Sequence, residues 1–178
     1  YIRKTRTIKR VLYILGGKMA GIGIGESDFK ALRIRQNYYI DKTMYIKDII
    51  DNESRVLLVT RPRRFGKTLN MSMLRYYFDC RQKDNIELFK GLKILKEEEK
   101  YTSKLGAYPV IYITLKDVQD RSFENMLLNL KSTMINVYQE HRYLLESSKI
   151  YPEEKEIITD ILFERENEII LRNSIKDL

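Results

Sequence analysis

The sequence predicts a three-layer α/β domain in which helices cover a parallel sheet. Two apolar runs, residues 56–60 and 109–115, contain several β-branched residues, and such runs are typical of strands buried on both faces. A segment with apolar residues at helical spacing follows each run, as expected where helices connect parallel strands. We therefore expect the element order β–α–(α)–β–α–α.

Two helices are predicted before the first strand. Ser27 and Asp28 can cap a short helix that ends at about Gln36. Asp41 is the expected N-cap of a second helix over residues 42–51, whose apolar residues fall on one face.

Further helices are predicted after each strand. Residues 67–79 predict an amphipathic helix, and residues 84–95 predict a shorter one followed by a return of the chain. A helix of about 25 residues is expected to begin near Ser122. Pro152 interrupts this pattern, and residues 153–174 predict one or two more helices.

Length and composition limit the class of protein. A chain of 178 residues can form one domain with a sizeable core but is too short for two comfortable ones. No apolar run approaches the ~18–20 residues that span a bilayer, so we expect no membrane-spanning segment. Cys80 is the single cysteine, which excludes an internal disulfide and a multi-cysteine zinc site and fits a reducing cytoplasm.

The positive charge is concentrated at the start of the chain. The formal net charge is +8, and residues 1–18 carry six basic residues and no acid, which leaves +2 for residues 19–178. This basic leader is a nucleic-acid-binding arm, a disordered tail, or a ribosome-binding site translated in frame ahead of Met19. We expect the domain to comprise residues 19–178.

A candidate phosphate-binding loop joins the first strand to the helix over residues 67–79. In the pattern G-x-x-x-x-G-K-[ST], Gly66 lets the backbone approach a phosphate, Lys67 reaches the β- and γ-phosphates, and Thr68 offers a hydroxyl to Mg²⁺. The helix N-terminus adds unpaired N–H groups. Arg61 stands where the first glycine is expected.

Arginines concentrate positive charge in this loop. Arg61, Arg63 and Arg64 can donate to phosphate oxygens, although any one of them could equally serve a structural ion pair or point to solvent. Pro62 fixes its own φ and so makes the loop more rigid.

The sequence around this loop closely resembles the AAA-ATPase-like family of bacteria and archaea. The resemblance rests on R-P-R-R-F-G-K-T at residues 61–68, Y-I-D-K-T at residues 39–43 and L-F-K-G-L at residues 88–92, and it covers nearly everything after Met19. In that family arginine is usual at the first-glycine position. The resemblance implies a P-loop NTPase-like fold, ATP and Mg²⁺ as cofactors, Lys67 as the catalytic residue and Thr68 as the metal ligand. The nucleotide-binding residues it implies are Arg61, Pro62, Arg63, Arg64, Phe65, Gly66, Lys67, Thr68 and Leu69.

An acidic partner for Mg²⁺ is not evident. Asp117 follows the second predicted strand, but Lys116 intervenes and no second acid follows directly. The resemblance implies an Asp-Glu motif and a C-terminal nuclease domain beyond residue 178, so we expect an N-terminal portion with its sheet incomplete at the C-terminus. His141, the only histidine, is expected to be a helix-surface or packed residue rather than a metal ligand.

The function predicted from these features is ATP binding, with hydrolysis expected only in a longer protein. Two alternatives remain open: a non-catalytic nucleotide-binding or protein-interaction module, and a nucleic-acid-binding domain that uses the arginine cluster. The sequence leaves the substrate, the partner and the oligomeric state unassigned.

Overall fold

A computed structural model describes residues 21, 23, 25–62, 64–81 and 83–163 of the chain. The basic leader and the part of the last predicted helical region after residue 163 lie outside these residues. The chain divides into two compact units, Tyr1–Val110 and Ile111–Leu178, and each is described by itself.

The described part of the first unit consists of helices and 3₁₀ turns joined by segments without regular secondary structure. Its α-helices are α1 (Phe29–Ile34), α2 (Met44–Ile50), α3 (Lys67–Phe78), α4 (Ile86–Phe89) and α5 (Glu99–Thr102). The 3₁₀ turns are Lys83–Asn85 and Lys93–Lys96.

The described part of the second unit contains two helices that pack on each other. They are α6 (Phe123–Glu140) and α7 (Pro152–Leu162), with a 3₁₀ turn at Arg142–Glu146 between them. The helix predicted at about 25 residues therefore ends at Glu140, after 18 residues. Pro152 is the first residue of α7, where its missing N–H costs no helical hydrogen bond.

Side-chain caps explain where two of the helices begin. Asp28 accepts a hydrogen bond from the Ala31 N–H at 2.7 Å, which confirms it as the N-cap of α1. Ser122 accepts from the Asn125 N–H at 3.5 Å and caps α6. The prediction of Asp41 as the cap of α2 is wrong, because Thr43 holds that position.

Aromatic and aliphatic side chains from every helix of the first unit form its core. α3 contributes Met73 and Tyr77, both fully buried, which confirms the apolar face predicted for this helix. The buried members of this core are Phe29, Ile46, Met73, Tyr77, Leu88, Phe89, Leu92, Ile94 and Tyr101. A smaller core in the second unit consists of Met134, Ile135, Tyr138 and Ile161.

The predicted α/β fold with a parallel sheet is contradicted by the structure. The described residues contain no β-strand, and their one isolated bridge pairs Asp79 with Tyr108 in parallel. Residues 56–60 and 109–115, the two predicted strands, lie outside any helix or strand. Val56 and Leu58 are each 83% exposed and Leu115 is 62% exposed, so the two runs are not buried as the pattern predicts.

The physical reason is that an apolar run indicates a preference for burial but cannot supply its own partners. A strand requires a neighbour whose N–H and C=O groups complete the ladder. Here the backbone before the second run bonds to the end of a helix instead, because the Tyr108 N–H donates to the Phe78 carbonyl at 2.9 Å. The Gly106 N–H likewise donates to the Tyr77 carbonyl at 2.7 Å.

Within the described residues, no helix combines the length and apolar character needed to cross a membrane.

Candidate functional site

The 61–68 loop enters α3 through two backbone positions in the left-handed region. Gly66, the N-cap of α3, has φ 75° and ψ 23°, a conformation that glycine adopts without steric cost. Arg64 also has a positive φ, of 69°. A non-glycine residue held there costs about 1 kcal/mol or more, and such positions cluster at functional sites. The chain thus turns sharply just before the helix begins.

The first turn of α3 presents main-chain donors that no side chain caps. The Asn70 N–H is the first to bond within the turn, to the Gly66 carbonyl at 2.9 Å. The N–H groups of Lys67, Thr68 and Leu69 precede it and therefore have no partner inside the helix. Gly66 provides no side-chain cap, and the first turn carries no acid. These donors and the helix dipole favour an anion.

The Lys67 side chain folds back across the loop. Its Nζ donates a hydrogen bond to the main-chain carbonyl of Arg61 at 2.5 Å, although the lysine remains exposed. A carbonyl satisfies only part of the ammonium's donor capacity, because the group has three N–H bonds. The arrangement therefore places a positive charge at the loop with donors left for a phosphate.

The other predicted nucleotide-binding side chains differ in exposure. Pro62, Phe65 and Thr68 are exposed, whereas the Leu69 side chain packs against the core and leaves only its N–H for a ligand. Arg61 and Arg64 are exposed, and neither has an acid partner among the residues that the structure describes. The prediction for Arg63 lies outside those residues.

Lys42 also lies at the loop, a position to which the sequence assigned no role. A Cβ placed on Gly66 would lie 3.7 Å from the Lys42 Nζ. Apart from residues next to Gly66 in the sequence, no other described residue has a heavy atom within 4 Å of that position. The triplet Asp41-Lys42-Thr43 belongs to a stretch that carries the family resemblance, which was the available signal. The periodicity of the sequence does not predict that Lys42 lies next to Gly66.

The residues on either side of Lys42 bind the 3₁₀ turn Lys93–Lys96. Asp41 accepts from the Thr43 N–H at 2.9 Å and the Thr43 hydroxyl at 2.6 Å, and its second oxygen accepts from the Lys93 N–H at 2.8 Å. Thr43 is fully buried, and its hydroxyl accepts from the Ile94 N–H at 3.2 Å. This network fixes the main chain on both sides of Lys42.

The same network makes the stability of the first unit sensitive to acid. Burial alone would raise the pKa of Asp41, but hydrogen bonds from Thr43 and Lys93 and the Lys93 charge outweigh it and lower the pKa. Because the pKa of Asp41 is lower in the folded protein than in the unfolded chain, its carboxylate stabilises the fold at pH values above the unfolded-state pKa of about 3.9. This stabilisation is lost as pH falls through the folded-state pKa. Urea midpoints at several pH values should therefore show wild type exceeding Asp41→Asn at pH 6, with the gap closing below about pH 4.

The matched control for this prediction is Asp48→Asn, which removes the same charge from an exposed position of α2. A gap between wild type and Asp41→Asn that stays constant from pH 6 to pH 3 would contradict the assigned role of the Asp41 carboxylate.

Metal-binding candidates are sparse. Among the described residues, no three His, Cys, Asp or Glu side chains form a group that could hold a metal. Thr68, the predicted Mg²⁺ ligand, is exposed at the second position of α3. Asp117 is exposed in a turn of the second unit. His141 is the C-cap of α6 and is 4% exposed. Of the two placements expected for it, on a helix surface or packed, the structure shows the packed one.

A cavity of about 280 Å³ adjoins the beginning of the loop. Tyr45, Asp48 and Ile49 of α2 form one wall together with Asn52 just after the helix, and residues 57–61 form the other. The lining is mixed, because the aliphatic residues Ile49 and 57–59 stand beside polar and charged ones. The cavity and the loop share Arg61.

A comparison with protein families gives one match. A family model described as "Predicted AAA-ATPase" matches residues 22–172, a range that contains the 61–68 loop, Lys42 and every described helix. No curated protein and no solved structure matches the chain.

Proposed function

The chain belongs to the AAA-ATPase-like family, and on that premise we propose that its 61–68 loop binds ATP together with Mg²⁺. The proposal covers binding and not turnover, because we assign no carboxylate of the described residues to the metal or to an attacking water. Hydrolysis in nucleotide-binding proteins of this kind uses such a residue.

The observation that carries the proposal is the conformation at Gly66 and Lys67. The left-handed glycine turns the chain so that α3 begins with uncapped N–H groups, and the next residue supplies an ammonium over the loop. Unpaired main-chain donors, a helix dipole and a lysine form the usual cradle for the β- and γ-phosphates of a nucleotide. Exposed arginines at residues 61 and 64 add positive charge to it.

The residues at the loop can bind Mg²⁺ only when a nucleotide supplies further oxygen ligands. Thr68 offers a single hydroxyl, and Mg²⁺ at nucleotide sites takes most of its other ligands from phosphate oxygens and water. We therefore expect Thr68 to bind the metal after the nucleotide supplies those oxygens. When bound, Mg²⁺ would neutralise part of the phosphate charge.

The cavity next to Arg61 supports a nucleotide rather than a simple phosphate as the ligand. Its volume of about 280 Å³ is near the lower limit of about 300 Å³ for small-molecule pockets. Its aliphatic residues, Ile49 and 57–59, offer a surface for a flat, weakly polar ring, and its polar residues can bond to a ribose. We propose that the base and ribose occupy this cavity while the phosphates lie on the loop.

Replacing Lys67 tests the proposal. We expect Lys67→Ala to weaken MgATP binding by about 10- to 100-fold, since a hydrogen bond to a charged group contributes about 1.5–3 kcal/mol. Isothermal titration calorimetry of wild type and variant measures the change. Lys96→Ala is the matched control, because Lys96 is an exposed lysine of the same unit in the 3₁₀ turn Lys93–Lys96.

Two results would overturn the proposal. One is the absence of MgATP binding to the wild-type protein, and the other is equal binding by Lys67→Ala and Lys96→Ala. Binding of DNA with no measurable affinity for ATP would favour the nucleic-acid alternative.

A further inference from the structure

Lys42 lies beside the loop although it is 24 positions away from Gly66 in the sequence. Its Nζ is 3.7 Å from the place that a Cβ of Gly66 would occupy. The ammonium therefore faces the residue at which the loop passes into α3, where the uncapped N–H groups begin. Lysines 42 and 67 thus both carry positive charge to this point.

The backbone of Lys42 is held in place before any ligand binds. Asp41 and Thr43, on either side of it, are bonded to the main chain of Lys93 and Ile94. The Lys42 N–H itself donates to the Tyr39 hydroxyl at 3.4 Å. A side chain that extends from a fixed backbone loses less conformational freedom on binding than one on a mobile segment.

Lys42 has no ion-pair partner in the part of the chain that the structure describes. Among the described residues no carboxylate lies within ion-pair distance of Lys42, Lys67, Arg61 or Arg64. Placing several positive charges close together costs free energy, and binding of a multiply charged anion offsets this cost. A chain of phosphates carries several negative charges and can contact more than one ammonium group.

We infer that Lys42 is a second phosphate-binding lysine, whose ammonium binds the polyphosphate chain of the nucleotide on the 61–68 loop. The inference rests on the proposed function. Asp41 and Thr43 are positioning residues in this arrangement, because they act only by fixing the backbone of Lys42. Within the triplet, the Asp41 and Thr43 side chains bond to the main chain of the 3₁₀ turn Lys93–Lys96, and the Lys42 side chain between them binds the ligand.

Two ligands separate a phosphate contact from a contact with the base. We expect Lys42→Ala to weaken binding of MgATP and of inorganic tripolyphosphate by about the same factor, roughly tenfold, as for loss of one charge-assisted hydrogen bond. Lys42→Arg should retain most of the affinity, since it keeps the positive charge. Calorimetric titration of the full chain measures each dissociation constant, with Lys96→Ala as control. Thermal unfolding of each free variant checks that the fold is kept.

The outcomes distinguish this inference from the proposed function. If wild type binds neither ligand, both fail. If wild type binds MgATP, Lys67→Ala binds it weakly, and Lys42→Ala binds as well as Lys96→Ala, the proposed function stands and the inference is overturned. If Lys42→Ala loses affinity for MgATP but not for tripolyphosphate, Lys42 contacts the base or ribose, and the assignment to phosphate is wrong.

Discussion

Phe89→Ala is expected to lower the free energy of unfolding of the first unit by about 3–5 kcal/mol. The ring is fully buried in α4 and contacts two other rings, with centroids 5.0 Å from Phe29 and 5.1 Å from Tyr77. Truncation removes the buried ring and leaves a cavity that these aromatic neighbours cannot fill without leaving their own contacts. Urea denaturation followed by circular dichroism measures the loss.

The control for Phe89→Ala removes the same atoms from an exposed site. Phe123, at the start of α6, is 71% exposed, so Phe123→Ala should change stability by no more than about 0.5 kcal/mol. Saturating MgATP should raise the unfolding midpoint of Phe89→Ala, because a ligand that binds only the folded state stabilises it. Equal stability losses in the two variants would show that Phe89 is not a central core residue.

Local chemistry allowed most of the helices to be predicted. Asp28 and Ser122 are residue types whose side chains accept from the N–H groups of a first turn, and both do so in the structure. The stripe on α3 is likewise a local property, since residues three or four apart share a face. Met73 and Tyr77 therefore enter the core as the spacing predicts.

The predicted sheet failed because it depended on non-local pairing. The run at residues 56–60 is as apolar as a buried strand, yet a sequence pattern cannot show whether another strand lies beside it. In the described residues none does, and the run instead forms part of a cavity wall with α2. Asp41 illustrates the same limit, because its carboxylate binds Lys93 across the fold as well as Thr43 nearby.

In the candidate site, too, features that depend on local sequence could be predicted, and features that depend on tertiary packing could not. Gly66 and Lys67 could be predicted as phosphate-binding candidates from the sequence, because the motif that contains them is contiguous along the chain. Lys42 was not assigned a role, since its proximity to Gly66 depends on how α2 and the 3₁₀ turn Lys93–Lys96 pack. The left-handed conformation at Arg64 was also unpredictable, because the favoured residue for a positive φ is glycine.

Arg81→Ala is expected to destabilise the first unit by about 3 kcal/mol, because it removes the guanidinium that balances the charge of a buried carboxylate. Asp79 is 2% exposed at the end of α3. The Arg81 guanidinium donates to both of its oxygens, with Nε 2.9 Å from Oδ1 and Nη2 2.5 Å from Oδ2. Arg35→Ala is the matched control: its ion pair with Glu26 involves an arginine side chain that is 67% exposed, and such pairs contribute about 0–1 kcal/mol.

The pH dependence of the Arg81→Ala effect identifies its cause. Burial by itself raises the pKa of Asp79, and hydrogen bonds from Arg81 with the charges of Arg81 and Arg75 lower it below the usual value. The Arg81→Ala variant keeps the main-chain N–H of residue 81 and the charge of Arg75 but loses the guanidinium, so the pKa of Asp79 should be higher in the folded variant than in the folded wild type. Because the carboxylate of the variant then protonates at a higher pH, the stability gap between the two proteins should narrow as pH falls through the pKa of Asp79 in the variant. Urea midpoints at about pH 7 and about pH 3 test this. An equal loss at both values would mean that packing of the Arg81 side chain, rather than its charge, stabilises the unit.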